Sequence, residues 1–301
     1  MGANPTLDLA VRVGCRLTYN APGAVPLFLK LKPRMDPGQV VQQERLQLGD
    51  RLPCEEFQDV HGNIVYRLVL RPGITEIIHD AIVLVPSVGD DFNQGYDLPA
   101  GLDALPGHWL PYTLPSRYCD SDKLIEFAWK QFGGVPRGHA QVRAVSDWIH
   151  ANIEYRFGSG RSDISASEVI AKRHGVCRDF AHVGIALCRA LNLPARYVTG
   201  HLPDIGYVDP GSPMDFHAYF EVYLGGKWFA YDPRYNVPRI GRVRVAAGAD
   251  AVDCAFATLY APCALTYFEV WAYQVALGTV AVGDPIDLSK RLDGSTLVRY
   301  V

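Results

Sequence analysis

Residues 175–198 read GVCRDFAHVGIALCRALNLPARYV, a glycine and a cysteine leading into a long apolar helical pattern. Positions 177, 181, 184 and 188 share one helix face. They hold Cys177, Ala181, Gly184 and Cys188, all small, so the helix can approach another element closely. Cys188, three turns along, reads as core. Cys177 falls in the first turn, where unpaired N–H groups and the positive end of the dipole favour an anion. A thiolate is such an anion, and the same N–H groups can hold an oxyanion on a substrate. Taken alone, a cysteine in an apolar helix is more often filler. The reading therefore turns on whether the chain supplies a base.

Residues 215–236, DFHAYFEVYLGGKWFAYDPRYN, supply one. Phe216 to Leu224 alternates as a strand, Gly225-Gly226 is a two-residue hairpin turn, and Lys227 to Asp232 is the return strand. Leu224 then faces Lys227, and counting outward Tyr219 faces Asp232. His217 and Asp232 become diagonal neighbours on one face of the hairpin, within reach of an imidazole–carboxylate hydrogen bond. A slip of one residue would put them on opposite faces. A strand histidine and an aspartate before Pro233 each have an ordinary structural explanation. Together with a cysteine on a helix N-terminus they form a nucleophile, a base and an orienting group.

Before this region the texture is different. VRVGCRLTY (11–19) alternates with period two, NAPG (20–23) is a turn signal, and LFLKLK, VHGNIVYRLVL and GITEIIHDAIVLV continue as strands with no helical interruption. An antiparallel β-sandwich over 1–105 is expected. A Pro- and Gly-rich stretch through 93–118 follows as a surface linker. Helices come next: DSDKLIEFAWKQF, AQVRAVSDWIHANI with Val142, Val145, Ile149 and Ile153 on one face, and SASEVIAKRHG with Ser165 and Glu168 at capping-box spacing and Gly175 as its stop. Strands return after the Cys177 helix. RIGRVRVAAG is expected to close the second sheet, and YFEVWAYQV to form a further strand. The fold class is α+β, with the sandwich followed by a mixed unit over 106–301.

The bulk numbers bound the function. The 301 residues are 49% hydrophobic and 20% charged, with a net charge of -3. A sizeable core is possible, and a surface built for nucleic acid or anionic membranes is not indicated. MGANPTLDLAVRVG lacks a basic segment followed by an apolar run, so no secretory signal is read. No stretch of about 18 uninterrupted apolar residues suggests a membrane span. The seven cysteines are odd in number and scattered, which fits reduced thiols in a cytoplasmic protein.

The three motifs, GVCRDFAHVGIALCRALNLPARYVTG, DFHAYFEV and WFAYDPRYN, closely resemble those of the bacterial transglutaminase-like family, in family order. The resemblance implies a papain-like catalytic core behind a β-sandwich, with Cys177, His217 and Asp232 as the catalytic triad. It leaves the reaction open, because the superfamily includes cross-linking enzymes, proteases, deamidases, peptide:N-glycanases and inactive members. Animal cross-linking relatives require calcium, but no EF-hand-like loop is found here. No cofactor is expected, and the expected partner is a peptide or protein substrate. Relatives use a ring N–H or a polar side chain as second oxyanion donor; Tyr155 and Trp148 are the candidates. The loop 201–217 leads into His217 and is a candidate cover for the cleft. A metal site drawn from His174, Cys177, His182 and His201 is disfavoured, since Cys177 and His182 do not share a helix face. Hydrolysis is preferred slightly over amine transfer. The alternative from another class is a non-enzymatic protein-binding module on the same core.

Overall fold

The structure, a computed structural model, describes residues 6–90, 101–208 and 213–293. Strands come first: β1 (Leu9–Ala21), β2 (Val25–Leu29), β3 (Val40–Leu48), β4 (Cys54–Gln58), β5 (Ile64–Leu70) and β6 (Gly73–Val85). The mixed part follows, with α1 (Ile125–Phe132), α2 (His139–Asn152), β7 (Glu154–Tyr155), α3 (Ala166–Lys172), β8 (His174–Gly175), α4 (Cys177–Ala190), β9 (Ala195–His201), β10 (His217–Leu224), β11 (Lys227–Tyr231) and β12 (Val243–Gly248). Then β13 (Ala257–Leu259) and β14 (Ala264–Val275) close the order of strands.

The sandwich consists of two antiparallel sheets, ordered β14-β1-β6-β3 and β13-β2-β5-β4. Their facing side chains include Leu17, Leu27, Leu29, Leu68, Leu70 and Ile77, all buried. Both sheets recruit strands from the far end of the chain. The mixed unit therefore does not extend over 106–301 as the sequence suggested: β13 and β14 belong to the sandwich. The pairing of β14 with β1 joins residues such as Val13 and Ala272, and no local pattern encodes that separation.

The alternation read in β1 also needs correction. Period-two alternation puts Arg12 on the face opposite Val11 and Val13, the open face of a half-buried strand, yet Arg12 is buried. β1 is a central strand, and the return of the chain after β14 covers its second face. Arg12 donates to Asp80 from Nη2 at 2.7 Å and from Nε at 3.0 Å, and to the Tyr273 hydroxyl at 3.2 Å. A buried guanidinium is tolerable only when paired in this way.

The second sheet runs β11-β10-β9-β12, antiparallel throughout, so the 239–248 stretch does close it. Helix α4 lies on this sheet and is buried along nearly its whole length. Its small face meets β10: a methyl group on Gly184 would fall 2.3 Å from Phe220 Cε1. Helices α1, α2 and α3 surround α4 and share its core. Helix α3 starts as expected, with the Ser165 N–H donating to Glu168 at 2.7 Å. It ends at Arg173, in the left-handed region, two residues before the expected glycine stop. A third cluster, including Val11, Val13, Val83, Ile205, Ile240 and Val243, joins the sandwich to the mixed unit. The linker and the 201–217 loop lie partly outside the described residues. No described helix is long and apolar enough to cross a membrane.

Candidate active site

The hairpin forms in the register that its turn dictates. Gly225 and Gly226 have φ of 51° and 87°, the positive pair a two-residue hairpin loop of this kind requires. Leu224 pairs with Lys227, and Phe220 with Tyr231. One step further out, His217 Nε2 lies 2.7 Å from Asp232 Oδ2. Both residues are buried. Helix α4, pressed onto β10, brings Cys177 to the same place. Cys177 and His217 line one cleft of about 640 Å³. The sulfur residue is only half-buried, open to that cleft.

The two ring nitrogens of His217 have different fates. Nε2 is committed to the carboxylate, whereas Nδ1 is buried without a hydrogen-bond partner among the described residues. A neutral imidazole with its Nε2 proton fixed on a carboxylate presents a basic Nδ1 lone pair.

Burial dominates the electrostatics. It pushes the Cys177 thiol up to about 11, while Arg234 and the Ala218 N–H pull it down. The position at a helix N-terminus favours a lowered thiol, whereas burial acts in the opposite direction. Burial also lowers His217 below the usual imidazole range, with Asp232 opposing. Burial therefore disfavours both charged forms, the thiolate and the imidazolium. Burial would raise Asp232, but His217 and Arg242 overcome it and hold the carboxyl well below the carboxylate range.

Arg242 was not anticipated from the sequence. Its Nη2 is 2.9 Å from Asp232 Oδ2, the oxygen that also receives His217. Its Nε donates to both oxygens of Asp90, at 3.0 and 2.9 Å, and its guanidinium lies 4.3 Å over the Tyr219 ring. Asp90 follows β6 and is anchored by its own N–H on the Arg239 carbonyl at 3.0 Å. The Asp232 carboxylate is thus clamped from the sandwich end of the chain. Only the charge types could have hinted at this, because positions 90 and 242 meet through the fold alone.

The oxyanion candidates separate. Tyr155 lines the cleft; the parallel β7–β8 bridge sets it opposite Gly175, two residues before Cys177. Trp148 packs edge-on to Phe127 and Phe132 with Arg173 across its face, and it does not line the cleft. His182 is buried between Tyr118 and Tyr197, and its Nε2 accepts the Ala251 N–H at 3.2 Å. His201 is buried against Phe216. The sandwich contributes to the cleft as well, through Ala257 and Thr258 of β13.

Comparison with known proteins agrees with this architecture. Residues 126–233 match the family model of the transglutaminase-like superfamily, a span that takes in Cys177, His217 and Asp232 but not Arg242. A crystal structure from Cytophaga hutchinsonii, provisionally assigned as a cysteine protease, is 33% identical with a TM-score of 0.81, covering 91% of this chain and 93% of that one. An uncharacterised protein of Mycobacterium leprae is 23% identical over 75% of this chain and 82% of its own length. An uncharacterised protein of Mycobacterium tuberculosis is 41% identical over 38% of this chain and 31% of its own length. The chain belongs to the transglutaminase-like superfamily.

Proposed function

We propose that the protein is a cysteine-nucleophile enzyme that cleaves amide bonds of peptides or proteins through a thioester, with water as the usual acceptor. The observation that carries this is the state of His217. Its Nε2 is tied to Asp232 and its Nδ1 is buried and unpartnered, in a cleft that Cys177 also lines.

The chemistry starts from the neutral thiol and imidazole that burial favours. As Sγ of Cys177 attacks the substrate carbonyl carbon, its proton passes to His217 Nδ1. A C–S bond forms and the carbonyl electrons move to oxygen. Asp232 stabilises the imidazolium through Nε2. The Cys177 N–H opens α4 and has no intrahelical partner, so it can donate to the oxyanion. The Tyr155 hydroxyl is the second donor; burial pushes it up to about 12, so it keeps its proton. Collapse breaks the C–N bond, and His217 delivers the proton to the leaving amine. Water, deprotonated by the same Nδ1, then attacks the thioester and regenerates the thiol. The half-open position of Cys177 admits water, and amine transfer would need a separate amine site. The provisional assignment of the Cytophaga relative also favours peptide bonds.

The test is an unstructured protein substrate such as casein, incubated with and without a primary-amine probe. Peptide cleavage, ammonia release and amine incorporation are followed together, with Cys177→Ala as control. Cys177-dependent cleavage with little incorporation is expected. Dominant incorporation would replace hydrolysis by transfer. No Cys177-dependent chemistry would leave a protein-binding module on this core.

A further inference from the structure

The charged groups of the cleft are not equivalent. Arg178 is engaged, bonded to Asp179 at 3.2 Å and to the Arg161 carbonyl. Asp204 is paired with Arg239 at 3.4 Å, and Asp215 accepts the Phe216 N–H at 2.7 Å. Arg234 stands apart. Its guanidinium lies 3.9 Å over the Tyr155 ring and 4.7 Å over the Tyr235 ring. Tyr155 belongs to the Cys177 side of the cleft through the β7–β8 bridge, and the Tyr235 ring is 5.4 Å from that of His217. Arg234 thus lines the cleft between the rings of Tyr155 and Tyr235. Among the described residues it donates no hydrogen bond and forms no close ion pair, the Asp215 carboxylate of the same cleft feeling its charge only at longer range, and it is only half-buried.

A guanidinium stacked on rings uses its faces and keeps its N–H groups in the plane of its edge, where they match a carboxylate bidentately. We propose that Arg234 is a substrate-recognition residue that binds a carboxylate next to the scissile amide. The preferred substrate is then a peptide with an acidic side chain or a terminal carboxylate flanking the bond. This rests on the amide-cleaving reading for its substrate, but the anion site itself can be tested without turnover.

The probes are two small electrophiles of similar size, anionic iodoacetate and neutral iodoacetamide. Rates of modification at Cys177 are read by mass spectrometry, and their ratio is normalised to that of 2-mercaptoethanol. The ratio cancels any change in thiol acidity, which a general structural effect of the mutation would also cause. In the wild-type protein the normalised iodoacetate preference should be about tenfold, as expected for an attractive charge at a few ångströms in a partly desolvated site. It should collapse toward one in Arg234→Gln and return in part in Arg234→Lys. A normalised ratio near one in the wild type, or one unchanged in Arg234→Gln, overturns the proposal. If Arg234→Gln does not fold, the wild-type ratio and its loss in about 0.5 M salt still decide. A matched peptide pair, Glu against Gln beside the scissile bond, adds the substrate arm. Equal cleavage of the two overturns the substrate preference. Absence of all cleavage with the charge preference intact defeats the amide-cleaving reading and leaves the anion site standing.

Discussion

Arg242 joins two carboxylates, Asp232 and Asp90, that are otherwise remote in the chain. Removing a guanidinium from such a buried network leaves both acids uncompensated, typically at about 3–5 kcal/mol. Arg242→Leu should therefore lower the urea midpoint strongly. It should also disturb the orientation of His217, since Asp232 Oδ2 receives both partners. Arg242→Lys keeps the charge but loses the fork geometry, and is expected to regain stability more fully than activity. Equal recovery of both would show that Arg242 acts on stability alone. At this scale the Cys177, His217 and Asp232 positions were legible because a helix start and a two-glycine turn are local signals. Arg242 was not, and neither was the high thiol, because pairing at long range and desolvation are tertiary effects.

The central element is α4, and its fit against β10 depends on Gly184. Helix propensity alone favours alanine over glycine by about 1 kcal/mol. The added methyl would overlap Phe220, however, and that ring is buried and stacked on Tyr231 at 5.7 Å. Overpacking of this sort costs about 1–3 kcal/mol, so Gly184→Ala should be net destabilising in urea unfolding. Any gain in stability would mean that the helix has room to withdraw from the sheet. The small-residue face that produces this approach was readable from helical spacing. The hairpin register was readable too, since a two-residue loop leaves one pairing. Strand β1 misled, because alternation marks a half-buried strand only if nothing covers its other face, and residues beyond β14 do cover it, burying Arg12.

For the whole molecule, buried neutral histidines govern the response to acid. Burial lowers His182, His201 and His217, and brings His201 to about 3. Each folded-state value lies below the unfolded one near about 6.5, so the unfolded chain binds more protons as pH falls. The stability they contribute is full above about pH 6.5 and is lost progressively below it. His201 alone should account for about 2 kcal/mol between pH 6.5 and 5. Urea midpoints at pH 7.5 and 5.0 measure this, and His201→Phe should flatten the slope. A midpoint that does not move with pH would contradict neutral burial. The α+β class and the existence of a sandwich were evident in the sequence from strand runs preceding helices. The exchange of β13 and β14 into that sandwich was not, because pairing between chain ends leaves no trace in local periodicity.

The most direct test of the active-site chemistry is the rate at which iodoacetamide modifies Cys177 near neutral pH, in the wild-type protein and in His217→Ala. With the thiol raised by burial, reaction depends on proton transfer to the imidazole. The variant should be slower by about tenfold to a hundredfold at Cys177, with exposed Cys54 unchanged as internal reference. Equal rates at Cys177 in the two proteins would contradict the assignment of His217 as its base.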